Sequence, residues 1–189
     1  VEFRIYTQKP IEFTAEGLPN LAGHKMRDNA TVGAFLRALG ATPHSIETAE
    51  VYSALQAGTI DSTPWTGVGL IDVKWDQFLK HALLPDTYQV DIVWIANLES
   101  WNGLTDESKN VLTDAIVEAE MRVRSEYLAL RDKEVEALKA KGMEFHEVPN
   151  KEAFLKLASD TAYARIRERL QTNGRSADHL EALRAAFEK

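Results

Sequence analysis

The chain has 189 residues and a mass of 21.2 kDa, room for one ordinary domain or two small lobes. A net charge of −7, a pI near 5.3 and the lack of any basic block exclude nucleic acid and anionic membrane surfaces as expected partners. With no cysteine there is no disulfide framework, thiolate metal site, Fe–S cluster or cysteine nucleophile, and 44% hydrophobic residues exclude a disordered chain.

Taken in chain order, Phe3 to Tyr6 reads as a strand, Pro10 to Asn20 as a linker and His24 to Arg27 as a short strand. Val32, Phe35, Leu36 and Leu39 recur at helical spacing and predict a helix over Thr31 to Leu39, closed by Gly40. Pro43 to Ile46 is expected to be extended. Thr48 then caps a predicted helix over Ala49 to Ala57. This alternation suggests an open α/β sheet. Gln89 to Ala96, rich in β-branched residues, is the strongest strand prediction in the chain.

From Thr105 the texture becomes helical. A threonine cap followed by Asp106 and Glu107 suits the positive end of a helix dipole. An apolar stripe of Val111, Leu112, Ala115, Ile116, Ala119, Val123, Tyr127 and Leu130 then predicts one helix that runs to Gly142. At about 54 Å it would be three times the mean helix length, which suits either a coiled coil or a strut between two lobes. Met143 to Val148 reads as a strand. Lys151 to Leu170 and Ala177 to Glu188 read as helices, with Ser176 capping the second. No apolar run is long enough to span a bilayer, so no membrane insertion is expected. The first six residues lack the pattern of a signal peptide, and the chain does not begin with Met, so it reads as a mature protein or a fragment of a longer one.

Catalytic signals are absent. No nucleophile sits at motif spacing from a base, and Gly67-Val68-Gly69 lacks the rest of a dinucleotide loop. No two of the five histidines (His24, His44, His81, His146, His179) are three to five residues apart, so surface or packing roles are expected and no metal ligand is assigned. Two features remain. Arg27 carries a planar fork able to hold a carboxylate through two hydrogen bonds, although spacing alone favours a surface salt bridge with Asp28 or Glu16. Trp65 sits in the loop-like run Thr63-Pro64-Trp65-Thr66-Gly67, where it either walls a pocket or packs.

Several segments together resemble the solute-binding proteins of TRAP transporters. Leu21-Ala22-Gly23-His24-Lys25-Met26-Arg27 is similar to their "DLKGLKIR", Leu39-Gly40-Ala41-Thr42-Pro43 to "LGAxP", and Lys9-Pro10-Ile11 to "KPI". The run from Glu50 through Val51, Tyr52, Ala54, Leu55, Gln56 and Gly58 to Asp61 is similar to "EVYTALQTGVVDG". The resemblance implies a periplasmic-binding-protein-like α/β fold of two lobes with a long lobe-spanning helix, the first lobe largely missing. By analogy, residues 5–92 and 133–189 form the second lobe and 93–132 cross into the first. It also implies a periplasmic receptor without enzymatic activity, which closes on a small organic acid and delivers it to a membrane symporter. Arg27 matches the arginine that pairs with the substrate carboxylate, Arg4 resembles a second cleft arginine, and Thr48 and Trp65 stand at positions that line the site. A tryptophan at residue 65 resembles the branch that takes 2-oxo or 2-hydroxy monocarboxylates, some of it through a bridging metal ion. Pro64 replaces the acid of the family's "DGxEN", which argues against that ion, so no cofactor is expected. Asp28-Asn29 replaces the usual Val-Pro, which implies a different loop after Arg27. A surface left by the missing lobe would favour a homodimer. The competing readings are a hydrolase-like α/β enzyme for acidic small molecules and a helical interaction protein.

Overall fold

The computed structural model describes residues 1–28 and 31–187. The altered loop expected at Asn29, and the end of the last helix at Glu188, lie outside the described residues. In chain order the elements are β1 (Glu2–Thr7), β2 (Glu12–Phe13), β3 (Pro19–Asn20), β4 (Arg27–Asp28), α1 (Gly33–Ala38), β5 (His44–Ser45) and α2 (Val51–Gln56). They continue with β6 (Ser62–Thr66), β7 (His81–Leu84), β8 (Thr87–Gln89), α3 (Leu98–Asn102), α4 (Asp106–Ala140), β9 (Glu144–Glu147), α5 (Lys151–Thr172) and α6 (Leu180–Phe187).

The main sheet is ordered β6-β1-β7-β9, with β8 also paired to β1. β1 is antiparallel to β6 and β7, while β7 and β9 run parallel. A parallel bridge between Met26 and Ser62 attaches the β4–β5 pair beyond β6. Strand alternation sorts β1 into two faces. Phe3 and Ile5 join one core with Met26, Phe35, Leu36, Leu83, Phe154 and Ala158, which packs α1 and α5 on that side. Tyr6 joins the other with Val51, Leu55, Leu70, Trp75, Leu79 and Leu138, which packs α2, the 70–79 segment and the end of α4. Burying both faces of the sheet makes this an α/β layer structure, in line with the predicted class.

Helix α4 starts where the sequence predicts. Thr105 Oγ1 accepts the Ser108 backbone N–H at 3.2 Å, and Asp106 and Glu107 occupy the first turn. It ends before Gly142, whose φ of +84° is the left-handed conformation that glycine adopts without strain. Leu138 is the only buried residue of α4 among the described residues. The apolar stripe further up the helix, including Val111, Leu112, Val123 and Leu130, is exposed.

Four local predictions are corrected. The strand predicted over Gln89 to Ala96 exists only as β8, and 90–97 carry no regular structure, with Trp94 71% and Ile95 88% exposed. β-branched residues favour a pleated surface only where a neighbouring strand offers a ladder, and beyond Val90, which bonds the Val1 backbone, these have none among the described residues. Thr48 does not cap a helix. It opens a 3-10 turn (Thr48–Glu50) whose flanking residue is Glu47, and α2 begins at Val51. Ser176 Oγ instead accepts the Asp178 N–H in a local turn, and α6 begins at Leu180. Trp65 lies in strand β6 rather than in a loop. Beyond Ser62 that strand pairs only with β1, and an edge strand tolerates Pro64 because one side of it needs no N–H.

Candidate functional site

Alternation places Arg4 and Trp65 on the same sheet face. They are direct partners in the β1–β6 ladder, and that face is the one carrying Tyr6 and Trp75. Trp65 packs edge-on against Trp75 with ring centroids 4.5 Å apart. Met26 belongs to the opposite core, so Arg27 emerges from β4 on the Trp65 side.

Arg27 is 4% exposed, which overturns the surface salt bridge that spacing favours. Its Nε donates to the Ile46 carbonyl at 3.0 Å and its Nη2 to Thr48 Oγ1 at 3.2 Å. Thr48 therefore serves the arginine rather than a helix end, because β4 and β5 run side by side and carry residue 48 past the guanidinium. Burial lowers the Arg27 pKa, with the charges of Asp28 and Glu47 opposing. An arginine stays protonated regardless, so this is a pre-oriented buried cation.

Arg4, 3% exposed, is held differently. Its Nε and Nη2 donate to the two oxygens of Asp86 at 2.5 and 2.8 Å, a bidentate pair. Burial pulls its pKa down, but Tyr6 and Asp86 leave it raised. The guanidinium also lies 5.3 Å from the centroid of the Phe145 ring. Arg4 and Asp86 line an open groove of about 930 Å³ between the sheet and the end of α4, together with Arg131, Lys139, Phe145 and Lys151. Arg27, Thr48 and Trp65 do not line this groove.

Three donors are left over. Arg4 Nη1, Arg27 Nη1 and Trp65 Nε1 are buried and donate to no partner among the described residues. A buried N–H without an acceptor costs about 1–3 kcal/mol, more when charged, and such groups are rare in folded proteins. Arg4 and Trp65 share one face of the main sheet, and Arg27 stands on the β4–β5 pair attached beside β6. An acidic ligand would offer each of them an oxygen.

Two carboxylates that sequence reasoning missed shape this region. Asp86 fixes Arg4 from 82 positions away. Glu134, on α4, accepts the Gly69 and Ile71 backbone N–H groups at 2.5 and 3.1 Å and so ties the loop beyond Trp65 to the long helix. Neither sits in a motif, and neither spacing could have found it. Asp61, which ends the matched glycine–aspartate run, is buried and accepts the Lys25 N–H, Ser62 Oγ–H and Lys9 ammonium. Burial alone would raise its pKa, but these donors outweigh it and hold the carboxyl below its ordinary 3.8. The folded value lies below the unfolded one, so this stabilisation is complete above pH 3.8 and fades as pH falls through the folded value. The thermal midpoint is expected to drop on acidification below pH 3.8, and Asp61→Asn to flatten that drop; an equally steep profile in the variant would contradict it.

Comparison with known proteins identifies the family. Residues 4–169 match the sequence profile of the family described as "Bacterial extracellular solute-binding protein, family 7" (DctP). The chain is 30% identical over 133 residues to the C4-dicarboxylate-binding periplasmic protein DctP of Rhodobacter capsulatus, covering 69% of this chain and 40% of that protein. It is 27% identical over 158 residues to a monocarboxylate 2-oxoacid-binding periplasmic protein of a Nostoc species, covering 78% and 41%. Among solved structures, it resembles DctP7 of Bordetella pertussis, an extracytoplasmic solute receptor binding pyroglutamic acid, with a TM-score of 0.74 at 21% identity over 100% of this chain and 60% of that one. It also resembles a TRAP periplasmic solute-binding protein of Pseudomonas putida with bound D-glucuronate, with a TM-score of 0.72 at 27% identity over 97% and 57%. The chain thus spans about two fifths of the length of the curated relatives it matches. These relatives are receptors and not enzymes, which removes the hydrolase-like reading. Among the described residues no helix is long and apolar enough to cross a membrane.

Proposed function

Because the chain belongs to the bacterial extracellular solute-binding protein family 7, we propose that it forms one wall of a periplasmic receptor for a small organic acid. The observation that carries this reading is the set of three unpaired buried donors, Arg4 Nη1 and Trp65 Nε1 on one face of the main sheet and Arg27 Nη1 on the β4–β5 pair beside it. Arg27 is the primary carboxylate partner. Two of its donors are already fixed by Ile46 and Thr48, so little side-chain entropy remains to be lost on binding. Arg4 is largely neutralised by Asp86 and contributes its unpartnered Nη1 group and a rigid floor. Trp65, braced by Trp75, walls the ligand.

The facing wall comes from the first lobe, with 5–92 and 133–189 as the second lobe and 93–132 as the crossover. Exposed apolar side chains at Ile92, Val93, Trp94 and Ile95, and the exposed stripe of α4, support that division, since an extended apolar segment and a helix face left bare in this way need a partner layer. Closure of two lobes excludes water and strengthens the ion pair. The loaded receptor then delivers its acid to the membrane subunits of a TRAP symporter. Residue 64 is a proline, opposite Ile5 in the ladder, so the position offers no side-chain carboxylate to a bridging metal ion, and binding runs through the guanidinium groups.

The test is calorimetry of the full-length protein against C4-dicarboxylates, 2-oxo and 2-hydroxy monocarboxylates and sugar acids, with the matching neutral amides and sugars as controls. At least one acid is expected to bind with a Kd of about 1 μM or tighter, and its uncharged analogue not to bind. Equal affinity for acid and amide would refute the reading.

A further inference from the structure

We infer that His81, Glu144 and His146 form a binding site for a divalent transition-metal ion of the zinc class, on the sheet face opposite the Arg4–Trp65 side. The residues come from two parallel neighbours. His81 lies directly across from Glu144, and His146 pairs with Leu83. Residues 144 and 146 share a face by the two-residue period of a strand, while Phe145 between them turns to the Arg4 groove. The site is therefore physically separate from the proposed organic-acid cleft.

Its geometry fits an ion. His81 Nδ1 and His146 Nε2 are 2.9 Å apart, and each is 3.7 Å from Glu144 Oε2. A point equidistant from the corners of a triangle with those sides lies about 2.0 Å from each, the usual zinc–nitrogen and zinc–oxygen bond length. Two imidazoles and a carboxylate are the donor set of zinc, cobalt, nickel or copper rather than of magnesium or calcium. The His81 side chain is nearly buried and fixed in the sheet, while the Glu144 side chain is exposed. That leaves a fourth position open for water. Without an ion, the two rings share a single N–H···N bond and the carboxylate stands off at 3.7 Å. A bound ion clamps β9, at the edge of the sheet, to β7.

The site is tested on the full-length protein after chelator treatment, by calorimetric titration with Zn²⁺ alone and by visible absorption with Co²⁺. One equivalent is expected to bind, with absorption bands of a four-coordinate ion, and Zn²⁺ to raise Tm. His146→Ala and Glu144→Ala change side chains that are not buried, and far-UV circular dichroism checks that both fold. His146→Ala is expected to weaken Zn²⁺ binding by more than about 100-fold and to abolish the rise in Tm. Zn²⁺ affinity above about 1 mM in the native protein, or unchanged affinity in both variants, overturns the assignment.

Discussion

Replacing Arg27 by alanine in the full-length protein is expected to weaken binding of its acidic ligand by about 3–5 kcal/mol, two to three and a half orders of magnitude in Kd. The size follows from burial. A ligand carboxylate that enters a closed, dry cleft loses its water shell, and the loss is offset only by a paired cation with hydrogen bonds in place. Arg27 meets both conditions, since it is 4% exposed and already oriented by the Ile46 carbonyl and Thr48 Oγ1. Arg27→Lys is expected to recover only part of the affinity, because a lysine is a point charge without the planar fork. Calorimetry with the best ligand from the acid panel measures both variants. An alanine variant that binds as tightly as the parent would show that the anion sits elsewhere.

The second large effect is on stability. Asp86→Ala leaves the Arg4 guanidinium buried without its carboxylate, and breaking such a pair costs about 3–5 kcal/mol. For a chain of this size that lowers Tm by roughly 6–20 °C. The paired substitution of Arg4 by Met and Asp86 by Leu should cost far less than Asp86→Ala, since it removes both charges and keeps apolar volume beside Phe145. Urea unfolding of the two variants reads the difference. A cost below about 1 kcal/mol for Asp86→Ala would mean that water reaches Arg4 and screens it, contrary to its 3% exposure.

The two arginines show how differently side chains with the same chemistry read in a sequence. Arg27 stands in a segment with a recognisable order of residues, and its partner Thr48 is near enough that both belong to the same β4–β5 neighbourhood. Arg4 also stood out by resemblance, yet its partner Asp86 left no trace, because an ion pair spanning 82 positions has no periodicity to follow. The Gln89 to Ala96 run shows the opposite failure. Its composition favours a strand, but a strand is defined by its neighbour, and beyond Val90, which exchanges backbone hydrogen bonds with Val1, the run pairs with none among the described residues. His81 and His146 lie 65 positions apart and looked unrelated until the β7–β9 register set them 2.9 Å from each other.

What the sequence determined by itself is local or carried by ordered motifs: the start of α4 at the Thr105 cap, its end at Gly142, the α/β class and the family. These depend on contacts within a few residues or on composition that persists along the chain. Only the tertiary structure decided which face of the sheet each side chain occupies, that Asp86 neutralises Arg4, that Trp65 stands in a strand braced by Trp75, and that two histidines and a glutamate converge. A strand's register fixes all of these at once, since a shift by a single residue would turn every side chain to the other face.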